Sequence, residues 1–359
     1  MKPFLYILPF CIGATHAVPL TAEQMKAGLK TRQEFDEIRW KDSARGAPLK
    51  VRIVSADSKG LVVDKTLAAG LTTRIIPFSD LSGIEFTLAP RELELHQKPE
   101  SAAAPALKII WDARSATMTL NGSNAAETGL ALAKSLRLSG ESSSLDDASK
   151  ILDQIRGQDS SEHRKDLARA EQTTIDFMRT LKSGNAEAID KLAWKITEET
   201  GNTDAMLLAT SYLTDRHFTD LKKIVDDNPR WIEDDEIKPV RDRLYNLALD
   251  FALYPSLFLG THETESAIGL KKASDIYQFT GENMLATKVL EDLAALYPSS
   301  EAAKETAPLL AKLKSLEAAG KLSAMAAVAK EEEPEEKEPE EKAPTEAPPP
   351  PKKYNLFRD

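Results

Sequence analysis

Residues 270–298 read LKKASDIYQFTGENMLATKVLEDLAALYP, and this stretch decides how most of the chain folds. Apolar residues recur at helical spacing before and after Gly281-Glu282, which has the composition of a turn. The residues that fall where two packed helices must come close are small: Ala273, Ser274 and Ala286. Pro298 cannot continue a helix and ends the second one. The stretch therefore predicts two antiparallel helices joined by a short turn.

The same stretch resembles one tetratricopeptide repeat, a helix–turn–helix unit of about 34 residues. Counted back from the closing proline, Pro298, the motif positions fall on Leu293, Leu290, Ala286, Tyr277, Ser274, Ala273 and Leu270. Leu293 stands at a position that is usually alanine. An upstream copy over residues 211–231 is about four residues short of the usual spacing. The resemblance implies a right-handed array of antiparallel helical hairpins that presents surfaces to other proteins.

Helical spacing extends over residues 141–325, which we interpret as one α-helical domain of this repeat-like kind. The clearest apolar stripe is Leu145, Ala148, Ile151, Leu152 and Ile155. Helices are predicted to end near Gly157, Gly184, Gly201, Pro229, Gly260, Gly281 and Pro298. Asn185 stands where a helix N-cap belongs, and so does either Asn202 or Thr203. Residues 101–140 are predicted as a helical connector before this domain.

Three β-rich segments precede the connector: PLKVRIVSAD (48–57), GLVVDKTL (60–67) and TTRIIPFSDLSGIEFTL (72–88). Leu49, Val51 and Ile53 alternate, so one face of the first strand points inward. Residues 21–40 predict a short helix capped by Thr21. The chain is therefore α+β but mainly α, with a small antiparallel β module (core 47–90) inside an N-terminal segment, residues 18–100.

The β segments resemble small SH3-like barrels, in particular the Sla1-type modules of secreted bacterial proteins. The resemblance covers about 45 residues. It depends on the order of the strands and on the sequence Pro77-Phe78-x-x-Leu81-Ser82. It implies a barrel-like module.

Residues 1–17, MKPFLYILPFCIGATHA, have the composition of a secretory signal peptide with cleavage before Val18. Lys2 supplies the positive start, and the apolar run that follows is too short to span a bilayer. A short membrane anchor or a buried strand is the alternative. We expect an exported protein, periplasmic or extracellular, in a bacterium of the Gram-negative type.

Cys11 is the one cysteine of the chain, so cleavage would leave none. A mature chain without cysteine excludes disulfides, thiolate chemistry and cysteine metal sites. The net charge of −10 argues against binding to nucleic acid, which needs a basic surface. No apolar run of the mature chain is long enough to span a membrane.

Residues 326–351 are rich in Glu and Pro and predict a disordered linker, because they bury too little apolar surface to offset chain entropy. Residues 352–359, KKYNLFRD, then bring back apolar and cationic side chains. The predicted partner-binding residues are Lys352, Lys353, Tyr354, Leu356, Phe357 and Arg358. Two interpretations stay open: a linear motif that binds a partner protein, or an end that is unselected or docks on this protein's own helical domain.

The sequence contains no motif of a hydrolase nucleophile, a nucleotide-binding loop or a paired-histidine metal site. His262-Glu263-x-Glu265 and Glu233–Glu236 are interpreted as acidic helix starts rather than metal sites. The densest apolar block is interpreted as core between helices, or otherwise as a groove for a partner helix or peptide: Tyr245, Leu249, Phe251, Leu253, Tyr254, Leu257 and Phe258. We predict no catalytic residue, no cofactor and no metal.

Together these patterns predict an exported, non-catalytic scaffold or adaptor that binds other envelope proteins. Its helical-repeat surfaces and its tethered C-terminal peptide would make the contacts. One alternative is a carboxylate-dependent hydrolase, or the regulatory subunit of one. It stays open because a catalytic pair of carboxylates has little recognisable sequence motif. Another alternative is a small-ligand or glycan binder that uses the β module.

Overall fold

The computed structural model describes residues 35–67, 70–199 and 201–319, together with Glu23 and Gly28. The described part holds one five-stranded antiparallel sheet and eleven α-helices, so the protein is mainly helical. It divides into two compact units, the first ending at Ile175 and the second beginning at Asp176. The predicted signal peptide (1–17), linker (326–351) and terminal motif (352–359) lie outside the described residues. The predicted domain limits stay a prediction.

The strands of the first unit are β1 (Asp36–Trp40), β2 (Leu49–Asp57), β3 (Gly60–Leu67), β4 (Gly70–Ile76) and β5 (Leu81–Glu85). Their order in the sheet is β4-β3-β2-β1-β5, and every pairing is antiparallel. β1 therefore lies between β2 and β5, with Ile38 opposite Leu49 on one side and Ile84 on the other.

The helix predicted over residues 21–40 is wrong at its C-terminal end, because residues 36–40 form β1. Glu23 and Gly28, the described residues in its first part, are helical. Burial explains the difference: Asp36 and Ile38 are fully buried and alternate with more exposed neighbours, as in a half-buried strand. An aspartate at a buried strand position is a poor strand former, so local propensity missed it.

Asp36 is fully buried and holds the sheet together through its carboxylate. Oδ2 accepts a hydrogen bond from the backbone N–H of Ile53 on β2 at 3.0 Å. Oδ1 accepts another from the N–H of Thr87, just after β5, also at 3.0 Å. One side chain thus ties two strands that are not neighbours in the sheet.

The helices of the first unit are α1 (Pro90–Gln97), α2 (Ala104–Arg114), α3 (Ala125–Ser139), α4 (Ser142–Gln158) and α5 (Glu162–Ser183), which continues past Ile175. Arg114 at the end of α2 is 2% exposed and lies 3.1 Å from the Glu92 carboxylate of α1. Its guanidinium also stacks over the Phe86 ring, 4.5 Å from the ring centre. This buried cation therefore joins two helices to the end of the sheet.

The second unit contains α6 (Ala186–Glu198), α7 (Thr203–Asp227), α8 (Ile237–Phe258), α9 (Glu263–Phe279), α10 (Asn283–Leu296) and α11 (Glu301–Ala318). The predicted caps are confirmed: the side chains of Asn185 and Asn202 accept hydrogen bonds from the N–H groups of Ala188 and Ala205. The predicted helix–turn–helix over 270–298 is present as α9 and α10.

Helices α8 and α9 pack very closely at Gly269. A Cβ atom on Gly269 would lie 2.3 Å from the carbonyl oxygen of Ala252 on α8. The predicted small positions of α9 and α10 serve the same purpose, because Ala273, Ser274 and Ala286 are fully buried. In the described residues, no helix is both long and apolar enough to cross a membrane.

We predict that Gly269→Ala destabilises the protein by about 1–3 kcal/mol, because the added methyl group overpacks the contact with Ala252. Chemical denaturation followed by circular dichroism measures the change. Gly157→Ala is the matched control: nothing lies within 4 Å of its Cβ position near the end of α4, so alanine there should be neutral or stabilising. Equal effects of the two substitutions would contradict the close-packing argument.

We also predict that Asp36→Asn costs about 2–3 kcal/mol of stability, because an amide would turn an N–H donor toward a backbone N–H that now has an acceptor. Glu37→Gln on the same strand is the control and should cost at most about 0.5 kcal/mol, since Glu37 makes only a surface ion pair with Arg39. A urea denaturation midpoint for Asp36→Asn equal to that of Glu37→Gln would refute the role given to Asp36.

Candidate functional site

A cavity of about 470 Å³ opens in the second unit between three successive helices. Trp194 and Glu198 of α6 and His217 of α7 form part of its wall. The remaining wall comes from α8: Val240, Arg243, Leu244 and Leu247. The volume is in the range of roughly 300–1,000 Å³ that is usual for ligand sites, and an apolar wall with a few polar groups is their usual composition.

His217 is the polar group that the cavity leaves without a hydrogen bond. Both of its ring nitrogens, Nδ1 and Nε2, are buried and have no partner among the described residues. The ring lies between two aromatic side chains, 5.9 Å from Trp194 and stacked at 6.0 Å on Phe251, measured between ring centres. A neutral imidazole offers one donor and one acceptor, so a ligand in the cavity would find both available.

Burial lowers the pKa of His217 below its ordinary value. The nearby Arg216 and Arg243 act in the same direction, whereas Asp220 and Asp190 raise the pKa. The side chain is therefore neutral at neutral pH, and it faces the cavity as a hydrogen-bonding group rather than as a charge.

The polar groups beside the cavity are already bonded to each other and fix α6 against α7. The hydroxyl of Tyr212 donates to the Asp190 carboxylate at 2.5 Å, and burial together with this bond raises the pKa of Tyr212 to about 12. Arg216 lies 3.6 Å from Asp190 and 3.4 Å from Asp220. This network holds the helices in place and leaves His217 as the unsatisfied group.

Two opposite charges stand at the cavity, Glu198 on α6 and Arg243 on α8. Both side chains are exposed, and neither has an ion-pair partner within the described part of the chain. Val240 beside them is 46% exposed, so the cavity is open to solvent at the N-terminal half of α8. A ligand with both an apolar body and charged ends would fit this arrangement.

Comparison with family models, curated proteins and solved structures finds no significant match to this chain. The resemblances to tetratricopeptide repeats and to SH3-like modules therefore stay predictions from the sequence.

The predicted site residues of the C-terminal motif, from Lys352 to Arg358, lie outside the described residues. One acidic segment is a helix start: Glu263 and Glu265 lie in the first turn of α9. Glu233–Glu236 instead precede α8, whose first turn has no acidic residue. Asp234 accepts hydrogen bonds from the N–H groups of Glu236 and Ile237 where α8 begins. Among the described residues, no group of three or more metal-ligating side chains is positioned to hold a metal ion.

The apolar block of α8 is core only in part. Leu249 and Phe251 are buried, but Leu257 and Phe258 at the C-terminal end of α8 are 67% and 51% exposed. Burial raises the pKa of Asp250 on α8 and of Asp275 on α9. Neither carboxylate lines the cavity of His217.

No sequence pattern singles out His217, Trp194 or Leu244. The signal available was weak: an aromatic residue and a histidine on successive helices, each at a position that packing would also explain. Their convergence depends on how three helices cross, which no local pattern contains.

We predict that the His217 ring titrates in the folded protein with a midpoint below about 6.5, its ordinary value. The unfolded chain then binds more protons than the folded chain as pH falls, so the stability that neutral His217 contributes is complete above about pH 6.5 and is lost between that pH and the lower folded pKa. NMR titration of the ring, assigned with His217→Phe, measures the midpoint. His96 has a pKa lowered by burial too and serves as an internal comparison. A His217 midpoint above 6.5 would contradict the buried, neutral assignment.

Proposed function

We propose that this protein is an exported, non-catalytic scaffold that binds segments of other proteins in the cavity between α6, α7 and α8. The observation that carries the proposal is the unsatisfied imidazole of His217 in a wall that is mostly apolar. A buried polar group without a partner costs free energy, and a bound ligand that hydrogen-bonds to it recovers that cost.

The chemistry of the wall selects the kind of ligand. Trp194, Leu244 and Leu247 favour an aromatic or aliphatic side chain. A hydroxyl or amide on that side chain, or a peptide group next to it, would bond to His217. Glu198 and Arg243 would then orient the segment by its charges. A short peptide with a tyrosine anchor meets all three requirements.

Other features of the chain fit the same function. The signal-like N-terminus supports export, and the helical hairpins agree with a right-handed tetratricopeptide-like array, a fold used to hold peptides and helices. The five-stranded sheet would close into a barrel-like module as a second binding surface. The terminal KKYNLFRD segment would add a tethered contact, so that one chain engages partners at several points.

Selection of random displayed peptides on the full-length protein tests the proposal. We expect sequences with an aromatic residue next to a charged one to be enriched. They should bind at least tenfold more weakly, or by about 1.4 kcal/mol, to Val240→Glu, because the carboxylate replaces part of the apolar wall and must lose water when the aromatic side chain covers it. Fluorescence anisotropy of the selected peptides measures the affinities.

Leu257→Glu is the matched control, since it places the same charge on the same helix at a residue that is 67% exposed and lies outside the cavity. It should leave the affinities unchanged. The proposal fails if selected peptides bind Val240→Glu as tightly as the unchanged protein, or if selection enriches no peptide.

A further inference from the structure

We propose that the last eight residues of this chain, Lys352–Asp359, are the occupant of the cavity when no partner protein is bound. The inference rests on the proposed function, because it names a ligand for the same cavity. It adds that the protein holds its own competitor, so that a partner must displace an internal peptide.

The cavity and the segment match in chemistry. KKYNLFRD carries three apolar residues, Tyr354, Leu356 and Phe357. The Tyr354 ring suits the wall formed by Trp194 and Leu244, and its hydroxyl is the donor that an unprotonated nitrogen of His217 lacks. Burying one aromatic side chain in such a wall favours docking, because it removes apolar surface from water.

The charges match as well. Lys352 and Lys353 precede the apolar residues, and Glu198 stands exposed at the cavity. The acidic segment 233–236 ends one helical turn before Val240, about 6 Å along the axis. At the other end of the peptide, the side-chain carboxylate of Asp359 suits Arg243.

The chain is long enough for this contact. The described residues end at Ala319, and residues 320–351 separate it from Lys352. A proline-rich chain of that length extends up to about 100 Å, at roughly 3.1 Å per residue. The longest helix of the unit, α7 with 25 residues, measures about 37 Å. Reach therefore does not limit docking, and the acidic residues of 330–346 would stay away from the like-charged segment 233–236.

Docking of the segment in the cavity of its own chain is favoured over docking in a second copy, because the effective concentration is higher within one chain. A tethered peptide meets its own cavity at an effective concentration of up to about 1 mM, whereas a second copy at micromolar protein meets it about a thousandfold less often. The contact is therefore intramolecular at ordinary protein concentrations.

Hydrogen exchange of the full-length protein tests the inference. The triple variant Tyr354→Ala, Leu356→Ala, Phe357→Ala should exchange about tenfold faster than the unchanged chain in peptides covering 190–198 and 237–247, and equally in peptides covering 36–57. Adding the synthetic peptide KKYNLFRD to the triple variant should restore the protection, and a peptide with Tyr354→Ala should not. Val240→Lys in the otherwise unchanged chain should lose the protection, because it repels Lys352 and Lys353 and replaces part of the apolar wall, and Leu257→Lys should keep it.

Three results would overturn the inference. Equal exchange in the unchanged chain and the triple variant would show that the segment does not dock. Protection that increases between about 1 and about 100 μM protein, together with dimers in sedimentation, would assign the contact to a second copy. Protection that survives Val240→Lys would place the segment elsewhere. In each case the peptide-selection experiment still decides the proposed function by itself, because it measures binding of foreign peptides to the cavity.

Discussion

The close contact between Gly269 and Ala252 is the constraint on which the second unit depends. With no side chain on Gly269, the backbone of α9 comes so near α8 that a Cβ atom would lie 2.3 Å from a carbonyl oxygen. That contact fixes the axis of α8, and α8 carries both Phe251, on which His217 stacks, and the apolar wall of the cavity. A larger distance between α8 and α9 would change how α8 packs against α6 and α7.

In the first unit, buried polar side chains hold the strands and helices in position. Asp36 accepts hydrogen bonds from backbone groups on both sides of β1. Arg114 pairs with Glu92 and stacks on Phe86. Such groups are costly to bury singly and specific once they are satisfied, so they favour one arrangement of strands and helices over others. His217 differs from Asp36 in that neither of its ring nitrogens has a hydrogen-bond partner among the described residues, and it lines a cavity.

Sequence patterns predicted the parts of the fold that depend on local rules. The α9–α10 hairpin follows from turn chemistry at Gly281, and the caps at Asn185 and Asn202 follow from the need of helix N-termini for acceptors. β1 was missed because Asp36 is unfavourable in a strand until Ile53 and Thr87 supply its hydrogen bonds. The cavity was missed for a related reason: Trp194, His217 and Leu244 lie on three helices whose crossing angles are tertiary properties. The terminal motif, the site that the sequence predicted, lies outside the described residues.

The contact between α2 and α3 has a consequence for how this sequence can vary. A Cβ on Gly129 would lie 2.4 Å from the indole of Trp111, which is 5% exposed. The Trp111 indole therefore occupies the space that a side chain at position 129 would need. A change at either position alone would lower the stability of the fold. Among relatives of this protein, a larger residue at position 129 should occur together with a smaller one at position 111, so that the pair is inherited as a unit.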